Sequence, residues 1–141
     1  MAWSLSQAGY NVSSTMGTLR TAGPSYVPQQ WLWHEGHDGW RIDQIDGVMN
    51  AFFASAASPP DVITIHLGTN DCYQRATAST MNARLDSLLT HVHTATTFLA
   101  SILDFPRNHA CVEAFNAGLP AIVAAHGQAL PLLCVCTCVR G

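Results

Sequence analysis

Charge is scarce in this chain. Only 11% of its 141 residues are charged, the formal net charge is -3, and the six basic residues are scattered rather than clustered. Binding to a phosphate backbone needs a concentrated basic face, so nucleic acid is not an expected partner. Long apolar runs are missing too. None approaches the roughly 20 residues of a membrane-spanning helix, so no membrane partner is expected. The start, Met1-Ala2-Trp3-Ser4-Leu5-Ser6-Gln7, lacks the basic head and apolar middle of a signal peptide, and localisation stays unknown from this chain. There is no internal repeat and no linker. What is present is a hydrophobic content of 48%, in a chain long enough for one domain with a real core. That composition excludes a disordered segment.

The most informative stretch is Asp61-Val62-Ile63-Thr64-Ile65-His66-Leu67-Gly68-Thr69-Asn70-Asp71. Val62, Ile63, Ile65 and Leu67 form a short β-branched run bounded by Pro59-Pro60 and Gly68, which reads as a buried strand of a parallel sheet. In such sheets the reactive groups gather past the carboxyl ends of the strands. Asn70 therefore stands where a side-chain amide could donate to a developing oxyanion. Taken alone, Gly68-Thr69-Asn70-Asp71 is better read as a turn, because Gly, Asn and Asp are common turn residues.

The rest of the chain alternates strands and helices. Residues 1–8 read as the tail of a helix and 10–15 as a strand. Residues 17–30 read as a long loop, a kind of segment that is often functional. A helix is expected over 41–57, with Ile42, Ile45, Val48, Met49, Phe52 and Phe53 at spacings of three and four. A second is expected over 79–96, with Met81, Leu85, Leu88, Leu89 and Val92 on one face. A strand over 98–103 and a loop over 104–108 follow. Then comes a helix over 111–126 that breaks at Gly118-Leu119-Pro120, and finally an apolar strand over 130–139. This order predicts an α/β fold with a parallel sheet covered on both faces.

Between the long loop and the first complete helix lies His34-Glu35-Gly36-His37-Asp38-Gly39-Trp40-Arg41-Ile42. A glycine at a helix entry lets a ligand approach the backbone, and free N–H groups there suit an anion. A glycine-rich helix entry with no ligand explains the same residues. His34, Glu35, His37 and Asp38 are metal-ligand types, but the helical His-Glu-x-x-His spacing is absent, so no metal is expected. His91 and His93 point to different faces of a helix and read as surface residues.

Taken together, Tyr10-Asn11-Val12, His34 to Trp40, and Gly68-Thr69-Asn70-Asp71 resemble the SGNH (GDSL) hydrolases. The resemblance covers roughly residues 5–126, includes Cys111-Val112-Glu113-Ala114-Phe115-Asn116, and is strongest to the acetylxylan-esterase-like carbohydrate esterase family three. It implies a flavodoxin-like three-layer α/β/α sandwich and hydrolysis of carboxylic esters without a cofactor. The expected substrate is an acylated carbohydrate or another small ester. It also implies an oxyanion hole made by the Gly39 N–H and the Asn70 side chain, substrate contacts from His37, Trp40 and Asp71, and a Cys72–Cys111 disulfide. Two free buried thiols are the alternative for those cysteines. The resemblance makes 1–126 an incomplete hydrolase domain and 127–141 a divergent tail.

Two motifs of that family do not occur in the 141 residues: there is no Gly-Asp-Ser, and no Asp has a His three positions later. By the same resemblance the chain is expected to be truncated at both ends, and the missing first strand would lie at the centre of the sheet. Ser13, Ser14 and Ser25 lie in the first part of the chain and His34, His37 and His66 near the expected site, but Gly23-Pro24-Ser25 lacks the second glycine of a nucleophile elbow. Both proton-moving members of the site are absent, so weak or no turnover is expected. The alternative is a non-catalytic carbohydrate-binding or remnant protein with a pocket around Trp33, Trp40, Gly39 and Asn70. Cys134, Cys136 and Cys138 fall at strand spacing, which would put them on one face of a hydrophobic strand.

Overall fold

The computed structural model describes residues 13–56, 58–92, 95–126 and 132–133. The expected helix tail over 1–8, residues 10–12 of the strand expected over 10–15, and the three cysteines of the tail lie outside the described residues. The chain divides into two compact units, residues 1–38 and 39–141, and each is described by itself.

In the first unit, β1 (Leu19–Arg20) pairs antiparallel with β2 (Trp33–His34), so that Leu19 faces His34 and Arg20 faces Trp33. This short ribbon replaces part of the long loop expected over 17–30. The Arg20 guanidinium lies 5.7 Å from the centre of the Trp33 ring, at cation–π range. The Gln30 carbonyl accepts the Thr15 N–H at 2.8 Å, and a 3-10 turn at Gln29–Trp31 leads into β2. Ser13 to Thr15 are not strand.

The second unit carries the parallel sheet. It contains α1 (Ile42–Ser55), β3 (Val62–Ile65), α2 (Thr69–Tyr73), α3 (Ala78–His91), β4 (Thr96–Ala100), α4 (His109–Ala125) and β5 (Leu132–Leu133). The sheet order is β3-β4-β5, with both pairings parallel. Val62 pairs with Thr96 and Ile65 with Leu99, so Ile63, Ile65, Thr97 and Leu99 share one face. On that face Ile65, Thr97 and Leu99 are buried. On the other, Val62, Thr64 and Thr96 are exposed.

The three long helices form because their apolar residues recur at helical spacing and one stripe of each can be buried. Helix α1 buries Ile42, Ile45 and Met49, and it ends before Pro59-Pro60. Helix α3 starts where the Thr77 hydroxyl accepts the Thr80 N–H at 3.2 Å, and it buries Met81, Leu85, Leu88 and Leu89. It packs against both α1 and α4. It stops at His91 rather than at 96, because the chain must extend again by Thr96 to pair with Val62. The strand expected over 98–103 is shifted for the same reason to Thr96–Ala100.

Helix α4 runs unbroken through Pro120, contrary to the expected break. A mid-helix proline forfeits one hydrogen bond and costs about 3 kcal/mol. Val112, Phe115, Leu119 and Ile122 line the buried stripe of α4, Leu119 within the expected break and Ile122 beyond it. Each buried side chain of this size is worth about 1.5–3 kcal/mol, which outweighs the proline. Asn116 on the same helix clamps the segment after β4. Its side-chain amide accepts the Ile102 N–H at 3.0 Å and donates to the Ile102 carbonyl at 2.9 Å. Both backbone groups of a buried residue are thereby satisfied where the ladder has ended.

Candidate functional site

The site residues of the second unit lie where β3 ends and where α1 begins. Gly68 is the N-cap of α2 and has φ +121°, a value that L side chains rarely adopt. A Cβ there would sit 2.9 Å from Phe115 Cε1 and 3.2 Å from Met81 Cε. Glycine therefore lets the chain turn tightly over the Phe115 ring. The turn that follows is a short helix, Thr69–Tyr73, rather than the loop expected from the sequence. Gly39 also has positive φ, +76°, but a Cβ there would meet nothing within 4 Å. Conformation rather than crowding calls for glycine at this position, and the backbone there is open to approach.

Side chains on and just after α2 hold three backbone groups of the Gly39–Ile42 segment. Gln74 Nε2 donates to the Gly39 carbonyl at 3.3 Å. Asn70 Nδ2 donates to the Trp40 carbonyl at 2.8 Å. Asp71 Oδ2 accepts the Ile42 N–H at 3.0 Å. The last contact places a carboxylate on the first N–H of α1, where unpaired donors and the helix dipole favour negative charge.

Charged partners brace this arrangement. Arg84 Nη1 meets Asp71 Oδ1 at 2.6 Å, and its Nη2 lies 3.4 Å from Asp43 Oδ2. Arg41 forks onto both oxygens of Asp43 at 2.9 and 3.1 Å, and its Nη1 donates to Gln74 Oε1 at 2.6 Å. The hydrogen bonds from Arg41 hold the Asp43 carboxyl below its ordinary range. Partial desolvation opposes this, and the Arg84 charge reinforces it. The same pairing pushes the Arg41 guanidinium still higher. Behind α2, Cys72 and Cys111 form a disulfide that ties it to the first turn of α4. Its two sulfurs lie 3.8 and 3.6 Å from Met81 Sδ, which fills the space beside them.

The structure thus brings Gly39, Trp40, Asn70 and Asp71 together at one turn–helix junction. Two of the residues expected to contact substrate have partners within the protein. Asp71 is 0% exposed and both its oxygens have partners within the protein, so it anchors the helix entry. The Trp40 ring packs against the hydrophobic core, and its carbonyl is the acceptor for Asn70. His37 belongs to the first unit, where its Nε2 lies 2.9 Å from Glu35 Oε2. Glu35 also accepts the Thr18 N–H. Partial burial works against its charged form, but the bonds from His37 and Thr18 together outweigh it and leave the carboxyl below its usual value.

Gln74, Arg84 and Arg41 were not singled out from the sequence. Gln74 is 35 residues from the carbonyl it holds and Arg84 is 13 from Asp71, so no local spacing announces either. The only available signal was Arg84 beside the apolar stripe of α3. Among the described residues no group of three or more His, Cys, Asp or Glu could hold a metal ion, and no helix is long and apolar enough to cross a membrane.

A parallel α/β domain with its polar junction just past the carboxyl end of a strand is the architecture of many hydrolases. Residues 4–133 match the GDSL-like lipase/acylhydrolase family, and the chain belongs to it. Among solved structures it is similar to a carbohydrate esterase family 3 protein from Talaromyces cellulolyticus, with TM-score 0.77 and 23% identity over 94% of this chain and 69% of that one. A mutant acetyl esterase with acetate ion gives TM-score 0.77 and 23% identity, over 94% of this chain and 68% of that one. The Clostridium thermocellum family 3 carbohydrate esterase gives TM-score 0.72 and 28% identity, over 94% and 64%. The fold is therefore the SGNH, flavodoxin-like α/β fold. No curated protein matches the chain in sequence.

Proposed function

We propose that this chain supplies the oxyanion-binding half of a carboxylic-ester hydrolase site, with Gly39 and Asn70 as its donors. The observation that carries this is the 2.8 Å bond from Asn70 Nδ2 to the Trp40 carbonyl. It holds the amide against the turn that bears Gly39. One N–H of that amide is spent on Trp40, and the second remains for a substrate oxygen. Two such donors stabilise the negative oxygen of a tetrahedral intermediate more than they stabilise the ground-state carbonyl, which is what accelerates acyl transfer. Acylated carbohydrates are the proposed substrate class, by analogy with the family 3 esterases that share the fold. The 141 residues contain neither Gly-Asp-Ser nor an Asp followed three positions later by His, so the chain as given turns over esters weakly or not at all.

A titration with acetate tests the assignment without needing turnover, because a carboxylate oxygen resembles the oxyanion. In a 15N–1H spectrum, the Gly39 amide and the Asn70 side-chain amide should shift together along one saturable curve. Asn70→Ala should weaken the response at Gly39. If acetate leaves both signals in place while it moves others, these residues are not the oxyanion donors.

A further inference from the structure

The geometry points to Gln74 as the residue that positions the oxyanion donor at Gly39, an inference that rests on the functional reading above. Gly39 has φ +76° and open space where a Cβ would be, so neither a side chain nor crowding fixes its backbone. A free glycine samples positive and negative φ alike. An oxyanion donor works only if its direction is set before the reaction, since misplacement at this scale forfeits much of the rate. The carbonyl of Gly39 is held by Gln74 Nε2 at 3.3 Å. Fixing that carbonyl fixes the peptide plane that follows Gly39; the Gly39 N–H lies in the plane before it, so the hold acts on the donor by removing one of the two planes that φ and ψ of this glycine can otherwise turn. Gln74 is itself held, because its Oε1 accepts from Arg41 Nη1 at 2.6 Å and Arg41 is forked onto Asp43. The side-chain amide therefore uses its two ends for opposite tasks. The oxygen takes its orientation from Arg41, and the nitrogen passes it on to Gly39. Gln74 directly follows α2, the helix that carries Asn70, so one short helix sets both donors. Gln74 is a positioning residue: it acts through Gly39 and not on substrate.

Two substitutions separate this role from a general structural one. Gln74→Met removes both ends of the amide. Gln74→Glu keeps an acceptor for Arg41 but cannot donate to the Gly39 carbonyl. The first readout is the backbone order parameter of the Gly39 amide in the full 141-residue chain without ligand. It should be near about 0.85 in the parent and fall toward about 0.6 in both variants, while α1 and α3 keep theirs. The second is acetate affinity at the Gly39 signal in Gln74→Met, which should weaken by roughly fivefold, the worth of one net hydrogen bond. Gln74→Glu is left out of that comparison because its charge would repel acetate. If Gln74→Glu leaves Gly39 as rigid as in the parent, the link to Arg41 is what matters and the inference is overturned. The same holds if Gln74→Met binds acetate as the parent does. If the parent itself ignores acetate, the oxyanion reading falls, and the order parameter alone then decides whether Gln74 fixes Gly39.

Discussion

Arg84→Met is the most telling single perturbation of the second unit. It keeps an unbranched apolar side chain on α3 and removes the guanidinium that Asp71 Oδ1 meets at 2.6 Å. Asp71 is 0% exposed, so the substitution leaves a buried carboxylate with only the Ile42 N–H at 3.0 Å. Breaking a buried pair in this way costs about 3–5 kcal/mol. The Arg84 side chain is 26% exposed, so water screens part of the loss, and about 2–3 kcal/mol is the expected cost. For a domain of this size that is a fall in Tm of roughly 6–12 °C. Asp71→Asn should cost a similar amount, because it surrenders the charge that both Arg84 and the start of α1 use. The double variant should be much less destabilised than the two singles summed, with a coupling of about 1.5 kcal/mol or more, since no stranded charge remains. Urea denaturation followed by far-UV circular dichroism measures all three, and raising the salt should change the coupling little if the pair is buried. A coupling near zero would mean that Asp71 and Arg84 do not share one buried contact, and the account of how α1 is anchored would be wrong.

Three further outcomes follow from the same geometry. The Cys72–Cys111 bridge closes a separation of 39 residues, so the chain-entropy estimate puts its stabilisation at about 4 kcal/mol; Cys72→Ala with Cys111→Ala should lower the urea midpoint accordingly, and an unchanged midpoint would show that the bridge constrains nothing. Gly68→Ala must hold alanine at φ +121° and push a methyl group toward the Phe115 ring, at a cost of about 1–3 kcal/mol, so a Tm equal to the parent's would contradict the tight turn described here. Asp43 and Glu35 have folded-state carboxyl values below their unfolded ones, so their contribution is fully present above the unfolded value and is lost as pH falls through the folded one. The contribution of these two groups should therefore be constant down to about pH 5 and fall below about pH 4, with a shallower acid-side drop in stability in Asp43→Asn if the pairing with Arg41 is responsible.

The sequence was most legible where one-dimensional spacing decides the outcome. The stripes of α1 and α3 were readable because Ile42, Ile45 and Met49, and Met81, Leu85, Leu88 and Leu89, recur every three or four residues and are buried in the structure. Strand β3 was readable because a β-branched run lies between a double proline and a glycine. Where local preference and burial disagree, the sequence misleads. Pro120 signals a break, yet the helix continues because Leu119 and Ile122 have a core to enter, and that core is built from residues far away in the chain. The tetrapeptide after β3 signals a turn, yet it becomes the first turn of a helix because Asp71 finds the start of α1 and Arg84 behind it.

The same limit explains the reading of the site. Gly39 and Asn70 are singled out by the family resemblance, since by residue type alone a glycine before a helix and an amide after a strand read equally as a helix entry and a turn. Asp71 also stands out by type, but its part in holding the start of α1 is not legible, because a carboxylate facing substrate and one capping a neighbouring helix look alike until the partner is known. Gln74 could not be recognised at all. A glutamine after a short helix has no signature, and its meaning lies in two partners, 33 and 35 residues away, that share one side-chain amide. The supports of the proposed donor pair are thus harder to read than the donors, because a support is defined by what it holds. If this reasoning is right, exchanging Gln74 for a residue of equal size should disturb Gly39 more than exchanging any exposed residue on the outer face of α3. Nothing in the local sequence would have ranked them in that order.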